Sequence, residues 1–517
     1  MKSIITKRQL LFVILVLLCG INPIYADTSK ELYVSNGNLS SLLPESERFK
    51  ITDLTLSGKL NIYDLEVIRQ MGGCYKSDGS RYNGHLRYLD LSNAKFVGDG
   101  TLEIRYDNGY LFTMSQLNYG SGDFLFSYMK SLHTIKLPNS MEKMGFYIFF
   151  CCDNLTSVTL PKSLKSLPGE NFTNCSPSND NLTSILIDDS NPYYSSDGSA
   201  LFDKYKTKMF FAVNSLREYA IPSSVSEISE DAFSFCRHLK TLVLPLRLKR
   251  ENVSASTFWN CDSLYSISVD EKNPYLCSDG SALYNKDKSE LVFVCHTVKK
   301  MSIPSSVTKI GNNAFNKCTN LTSIELPSGA TSLGYGVFRN CTNLLSITLP
   351  SNVKEINGSA FEGCKSLTSV TLPSGVEKIQ RYTFNGCESL RSITLPSNLK
   401  CIESSAFKGC KGLTSIYAFM EKPCIIEETT FDNETIINAT LYVPKGSLLD
   451  YWDDNQWKKF MNIEEFDATS IGSLNTNAND VQEVSRYSDN GQRLNTPAKG
   501  LNIVKYNNGT VKKIMVK

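Results

Sequence analysis

Five cysteines, Cys318, Cys341, Cys364, Cys387 and Cys410, follow one another at a constant interval of 23 residues. A period of about 20–50 residues limits what a chain can fold into, because each copy is too small to bury its own apolar face and must stack on its neighbours. The product is a solenoid in which each coil contacts only the next. Such an array offers long surfaces for docking, so the functional question moves from a cleft to a face.

The unit reads F-x-x-C-x-x-L-x-x-I-x-L-P-x-x-V-x-x-I, and its apolar marks stay in register: Phe315, Phe338, Phe361, Phe384, Phe407; Leu321, Leu344, Leu367, Leu390, Leu413; Ile324, Ile347, Val370, Ile393, Ile416. The segment L-x-x-I-x-L is short, β-branched and partly alternating, the pattern of a strand. Pro327, Pro350, Pro373 and Pro396 follow it. Proline lacks the ladder donor and ends the strand there. The V-x-x-I stretch is expected to form the return side of each coil.

F-x-x-C occurs nine times, ending at Cys152, Cys175, Cys236, Cys261, Cys318, Cys341, Cys364, Cys387 and Cys410. Phe126 opens a tenth copy in which Met129 stands where Cys is expected. A disulfide or a metal ligand does not survive that replacement, whereas a buried apolar slot does. The cysteines therefore read as a core ladder, with disulfides and metal ligation as the alternatives.

A longer period of 82 residues overlies the first: Asn191-Pro192-Tyr193 recurs at Asn273-Pro274-Tyr275, and Asp197-Gly198-Ser199-Ala200-Leu201 at Asp279-Gly280-Ser281-Ala282-Leu283. Each copy is an insertion between coils, read as strand, tight turn, strand. The acids Asp188, Asp189, Asp197, Asp270, Glu271 and Asp279 could be taken for calcium ligands. Asp-Gly at a hairpin turn accounts for Asp197 and Asp279 without a metal.

The chain opens with Lys2, Lys7 and Arg8, an apolar run from Leu10 to Leu18 and a small residue, Ala26. This is the pattern of a secretory signal peptide over residues 1–26. Cys19 invites a lipid-anchor reading, but Leu18 before it is larger than a lipobox wants. Removing residues 1–26 takes three of the 54 basic residues and none of the 52 acidic ones, leaving 51 against 52 and a net charge of −1. That balance gives no electrostatic case for nucleic acid or an anionic membrane, and no later segment is long and apolar enough to span a bilayer.

The expected organisation follows. Residues 27–125 form an N-terminal cap and first irregular repeats, with strands near Ile51–Leu56 and Leu86–Leu91. A helix runs over Asn61–Met71, and a surface loop over the Gly/Asp/Asn-rich stretch from Gly98 to Gly122. Residues 126–420 form the array, with hairpin insertions near 188–220 and 270–302. Residues 421–466 form a C-terminal cap in which Tyr451, Trp452 and Trp457 close the core, since aromatic rings supply large apolar area. Residues 467–482 read as a linker. Residues 483–517 carry two hairpin signals, Asn490-Gly491 and Asn508-Gly509, and form a small β module.

The repeat CTNLLSITLPSNVKEINGSAFEGC resembles the BspA-type leucine-rich repeat family of exported bacterial surface proteins, over roughly residues 50–465. The N-P-Y insertions and the ending L-Y-V-P-K-G-S are similar to features of that family. The resemblance implies a β-rich leucine-rich repeat solenoid, a right-handed curved coil with short strands and little helix. It also implies an adhesin-like role, binding host or bacterial proteins. The terminal module looks similar to C-terminal sorting domains of type IX secretion, though shorter than most. That implies a secreted or cell-surface location in a Gram-negative bacterium.

Chemistry finds little purchase. His85, His133, His238 and His296 form no metal-spaced pair, and Cys295-His296 are neighbours in sequence, which does not make a catalytic pair. Nucleophile-elbow, phosphate-loop and zinc-protease motifs are absent from the sequence. The expectation is a non-enzymatic protein with no cofactor and no metal.

The candidate surface is the concave strand ladder: Thr322, Ser323 and Glu325; Ser346 and Thr348; Thr368, Ser369 and Thr371; Arg391, Ser392 and Thr394; and Tyr417. Hydroxyls dominate it. Thr and Ser also suit any half-exposed strand, so the face as a whole carries the expectation more than any one residue. In earlier coils Lys240, Thr241, Tyr265 and Ser266 replace the pattern. The partner is expected to be a protein. The alternative is a glycan stacked on Tyr193, Tyr194, Tyr275 and Tyr265.

Overall fold

The structure, a computed structural model, describes residues 28–98 (without 77), 101–105, 111–115, 123–167 and 181–467, with strand segments between 483 and 516. It divides into two units, residues up to Ser263 and residues from Leu264 onward. The residues of the expected linker beyond 467, Cys175, and the signal-peptide region lie outside the described residues.

In the first unit six parallel strands form one sheet: Ser29–Ser35, Asp53–Leu60, Tyr88–Phe96, Thr134–Lys136, Ser157–Leu160 and Ser184–Ile187. The ladder thus starts before the first recognisable repeat. The helix is Ile62–Met71, opened by Asn61. The Asn61 side chain accepts the Tyr63 and Asp64 N–H groups, and Asp64 accepts the Asn61 N–H in return. This reciprocal box satisfies helix donors that would otherwise be orphaned. Asp64 also takes the N–H groups of Gly37 and Leu39 at 2.7 and 2.9 Å, which fastens the preceding turn to the helix. Near the other end of the helix, buried Arg69 donates to the carbonyls of Phe124 and Leu125 and so joins the cap to the first coil.

The loop expected over Gly98–Gly122 is corrected by the structure. Thr101–Arg105 and Leu111–Ser115 pair as an antiparallel hairpin. Glycine and Asn/Asp content hid two short β-prone runs, TLEIR and LFTMS.

In the second unit the main ladder runs through Ser323–Glu325, Ser346–Thr348, Ser369–Thr371, Ser392–Leu395, Ser415–Ala418, Thr440–Pro444 and Asn462–Phe466, every neighbour parallel. The sheet therefore continues through the segment expected to be a C-terminal cap. The return side forms a second ladder of two-residue strands, Lys309–Ile310, Ser332–Leu333 and Glu355–Ile356, continued in a separate sheet by Lys378–Ile379 and Cys401–Ile402. The last insertion strand, Glu290–Val294, enters this ladder beside Lys309–Ile310.

The interior is built from columns. Phe315, Phe338, Phe361, Phe384, Phe407 and Phe431 stack with centroids 4.9–5.5 Å apart. Phe460 meets the last ring edge-on, and Trp457 lies tilted beside it. The cysteines form a second column with a hydrogen-bonding role. The thiol of Cys341 donates to the Phe315 carbonyl, Cys364 to Phe338, Cys387 to Phe361 and Cys410 to Phe384, at 3.1–3.2 Å. Phe338, Phe361 and Phe384 in turn send their N–H groups forward to Ala360, Thr383 and Ala406 at 2.8 Å. Each of these carbonyls also accepts the N–H of the cysteine in its own coil at 3.0–3.1 Å, so the thiol of the next coil is a second donor that ties the two coils together. All cysteines among the described residues are free thiols. Met129 fills the same slot in the first coil with no exposed surface.

Two residues in each coil of the regular array take left-handed backbone, one on either side of the phenylalanine. Gly363 shows why the second position favours glycine: φ is +72°, and a Cβ there would lie 2.4 Å from Asn340 Oδ1. In the first unit Phe124, Tyr128 and Tyr147 occupy equivalent left-handed positions, an uncommon conformation for bulky residues.

The terminal strands Glu483–Ser488, Arg493–Leu494, Gly500–Tyr506 and Val511–Val516 form a four-stranded antiparallel sheet. Two of its pairings join strands that flank the Asn-Gly signals; the signals themselves lie outside the described residues.

Candidate functional site

Alternation along each ladder strand turns the middle residue inward and its neighbours outward. Ile324, Ile347, Val370, Ile393 and Ile416 are buried. Thr322, Ser323, Glu325, Ser346, Thr348, Thr368, Ser369, Thr371 and Arg391 are exposed; Ser392, Thr394 and Tyr417 are half-buried. The register brings Ser323, Ser346 and Ser369 into one row. Glu325, Thr348, Thr371, Thr394 and Tyr417 form the next.

Not every outward hydroxyl is spare. Thr368 Oγ1 donates to the Leu345 carbonyl at 3.1 Å, and Thr414 Oγ1 to Arg391 at 3.2 Å. These hydroxyls tie one coil to the last. Leu345, between Thr322 and Thr368 in the repeat, is 53% exposed.

The second row does not stop at Tyr417. Tyr442 is its register partner and Glu464 the partner of Tyr442. The two tyrosine rings stack at 4.7 Å and 11°. Phe466 meets Tyr417 edge-on at 6.0 Å and Phe419 at 5.2 Å. Sequence reading missed Tyr442, Phe419, Glu464 and Phe466 because the spacing from Tyr417 to Tyr442 is 25 residues instead of 23. Aligning L-Y-V at Leu441 on I-Y-A at Ile416 would have found the first of them.

The other expectations resolve individually. Tyr451 and Trp457 are fully buried and donate to the Met420 and Cys424 carbonyls at 3.0 and 2.8 Å, as core-closing residues should. Trp452 departs from the expectation: it is 52% exposed, because the short helix Leu448–Asp453 turns Tyr451 inward and its neighbour outward. Tyr194 cannot stack a sugar. It is buried against Phe210, ring to ring at 5.5 Å. Tyr193, Tyr275 and Tyr265 are exposed.

The insertion acids are engaged in turns. Asp197 Oδ1 accepts the Ser199 and Ala200 N–H groups, and Asp279 Oδ1 those of Ser281 and Ala282. Their second oxygens accept the Tyr219 and Tyr284 hydroxyls. Asp188 accepts from Ser190, which lowers its carboxyl below the usual range. No group of three or more His, Cys, Asp or Glu that could hold a metal occurs among the described residues. Asn191 explains the N-P-Y motif. Its amide donates to the Lys162 and Leu164 carbonyls, and its oxygen accepts the Tyr193 and Tyr194 N–H groups.

Burial pushes the thiols away from reactivity. Cys152, Cys364 and Cys410 are raised to about 12, chiefly by desolvation. Cys295 is likewise pushed up to about 12 by burial, and His296 packs edge-on against Phe293 at 5.5 Å. A nucleophilic cysteine needs the opposite shift.

A family model described as the BspA type leucine rich repeat region, in six copies, matches residues 114–198, 200–293, 286–414 and 354–480. Among solved structures, the chain is similar to a leucine-rich cell surface protein from Faecalibacterium prausnitzii, at 21% identity over 67% of this chain and 92% of that one, with a TM-score of 0.41. It is similar to a leucine-rich repeat protein from Eubacterium ventriosum at 19% identity, over 74% and 89% of the two chains, with a TM-score of 0.37. The pneumococcal vaccine antigen PcpA matches at 15% identity over 85% and 84%, with a TM-score of 0.31. No curated protein matches the sequence significantly.

Proposed function

This chain belongs to the BspA-type leucine-rich repeat family, and we propose that it is an exported cell-surface binding protein, adhesin-like, that docks a protein partner on the main strand ladder. One observation carries this reading. The outward residues of successive coils line up in continuous, exposed, hydroxyl-rich rows, while the cysteines are committed to the interior. The binding residues are Thr322, Ser323, Glu325, Ser346, Thr348, Thr368, Ser369, Thr371, Arg391, Ser392, Thr394 and Tyr417. No helix among the described residues is long and apolar enough to cross a membrane, and the four-stranded terminal sheet fits a sorting module of the kind the tail resembles. A glycan reading survives on Tyr193, Tyr275 and Tyr265, which are 48%, 42% and 54% exposed.

The test is a binding screen of the purified chain against extracellular-matrix proteins and a polysaccharide panel. Saturable binding to a protein supports the reading. Binding to glycans alone, abolished by Tyr193→Ala or Tyr275→Ala, moves the site to the insertions.

A further inference from the structure

We infer that the last strands of the ladder carry a recognition site for a basic side chain, arginine or lysine, of a protein partner. This rests on the proposed reading that the ladder binds protein, and it names the chemistry. Coils from Ser323 to Thr394 turn mainly serine and threonine outward. The next strands turn out Tyr417, Phe419, Tyr442 and Phe466, all half-buried, beside exposed Glu464. Aromatic residues concentrated in one part of a polar face are the usual composition of an interface hot spot.

The arrangement selects a cation. The tyrosine rings are 4.7 Å apart and nearly parallel, matching the spacing of adjacent strands. The stack therefore runs along the ladder, and the second face of Tyr442 turns toward the strand Asn462–Phe466. Glu464 is the register partner of Tyr442 on that strand. Its carboxylate makes no hydrogen bond or ion pair with the described residues. An electron-rich ring face and an unpaired carboxylate side by side attract the same group, a guanidinium or ammonium. Phe419 and Phe466 add apolar surface for the methylene stem of that side chain. Glu355 is the internal control: it is likewise exposed, but it lies on the return side with Ser332 as its register neighbour and no aromatic ring in its row.

The experiment measures fluorescence anisotropy of labelled 13-residue Gly/Ser peptides carrying Arg-Leu-Arg, Glu-Leu-Glu or Gln-Leu-Gln at the centre, titrated with the full chain. The arginine peptide is expected to bind tightest. Glu464→Gln should weaken it roughly fivefold and Tyr442→Ser roughly tenfold, with Glu355→Gln without effect. Circular dichroism checks that each variant is folded, and the conservative Glu464→Gln keeps the test open if Tyr442→Ser is not. Equal binding of the three peptides, or equal losses from Glu464→Gln and Glu355→Gln, overturns the inference. A protein partner whose binding is lost on mid-ladder substitution yet is indifferent to Glu464→Gln overturns this site alone and leaves the ladder reading standing.

Discussion

Cys364 offers the sharpest test of how the coils are held together. Its thiol is fully buried and donates to the Phe338 carbonyl at 3.1 Å. Cys364→Ala removes a group about the size of a methylene, worth ~0.8 kcal/mol of transfer free energy. A void of about 20 Å³ adds ~0.5 kcal/mol. The Phe338 carbonyl keeps the Cys341 N–H at 3.1 Å and loses only its second donor, which adds about 0.5 kcal/mol. The sum is about 2 kcal/mol. Cys364→Ser loses the apolar transfer but keeps a donor, so it should cost no more than alanine. A solenoid opens locally, so global melting dilutes such effects. Native-state hydrogen exchange followed by mass spectrometry is the better assay. Peptides spanning Phe361 to Leu367 should exchange about 30-fold faster in the alanine variant. Peptides near Phe126 should not change. If serine proves worse than alanine by more than about 1 kcal/mol, or if chelators or reductant alter the wild-type protein equally, the carbonyl-donor account is wrong.

Raising the pH should destabilise the array. Cys152, Cys364 and Cys410 move from about 9 to about 12 on burial. The unfolded chain thus releases these protons first, and stability falls as pH climbs from 9 toward 12, by up to ~1.4 kcal/mol per pH unit per thiol. The thiolate absorbance that disappears in Cys364→Ala, measured against the background of the partly exposed Cys151, Cys277 and Cys401, should appear only together with loss of circular dichroism; a Cys364 thiolate at pH 9 in a fully folded protein would refute this. Asn191→Ala removes bonds to two carbonyls and two N–H groups. It should cost roughly 3 kcal/mol, read as faster exchange across residues 161–194. Phe361→Leu interrupts the ring column between Phe338 and Phe384, and a loss of about 1–2 kcal/mol is expected in the same assay.

Periodicity made the interior legible. A residue that recurs every 23 positions must meet its own copy, so the phenylalanine and cysteine columns and the two strand ladders could be read directly. The donor role of the thiols could not. It depends on which carbonyl lies across the next coil, and Met at position 129 hides it by filling the slot without donating. The N-terminal hairpin at Thr101–Arg105 and Leu111–Ser115 was masked by surrounding glycine and asparagine. Tyr194 and Trp452 show the limit of composition, since an aromatic beside a turn or on a short helix faces in or out according to tertiary packing. Tyr442 and Glu464 were missed where the period lengthens, although their strands continue the same sheet.

The most direct test of the central claim compares two faces of the second unit against a matrix protein that binds in the screen. Thr348→Arg with Thr371→Arg alters the main ladder. Glu355→Ala with Lys378→Ala alters the return side, where both residues are exposed. Surface plasmon resonance should show affinity falling at least about tenfold for the first pair and unchanged for the second. Full affinity in the Thr348→Arg/Thr371→Arg protein, or loss only in the return-side protein, would contradict the assignment of binding to the main strand ladder.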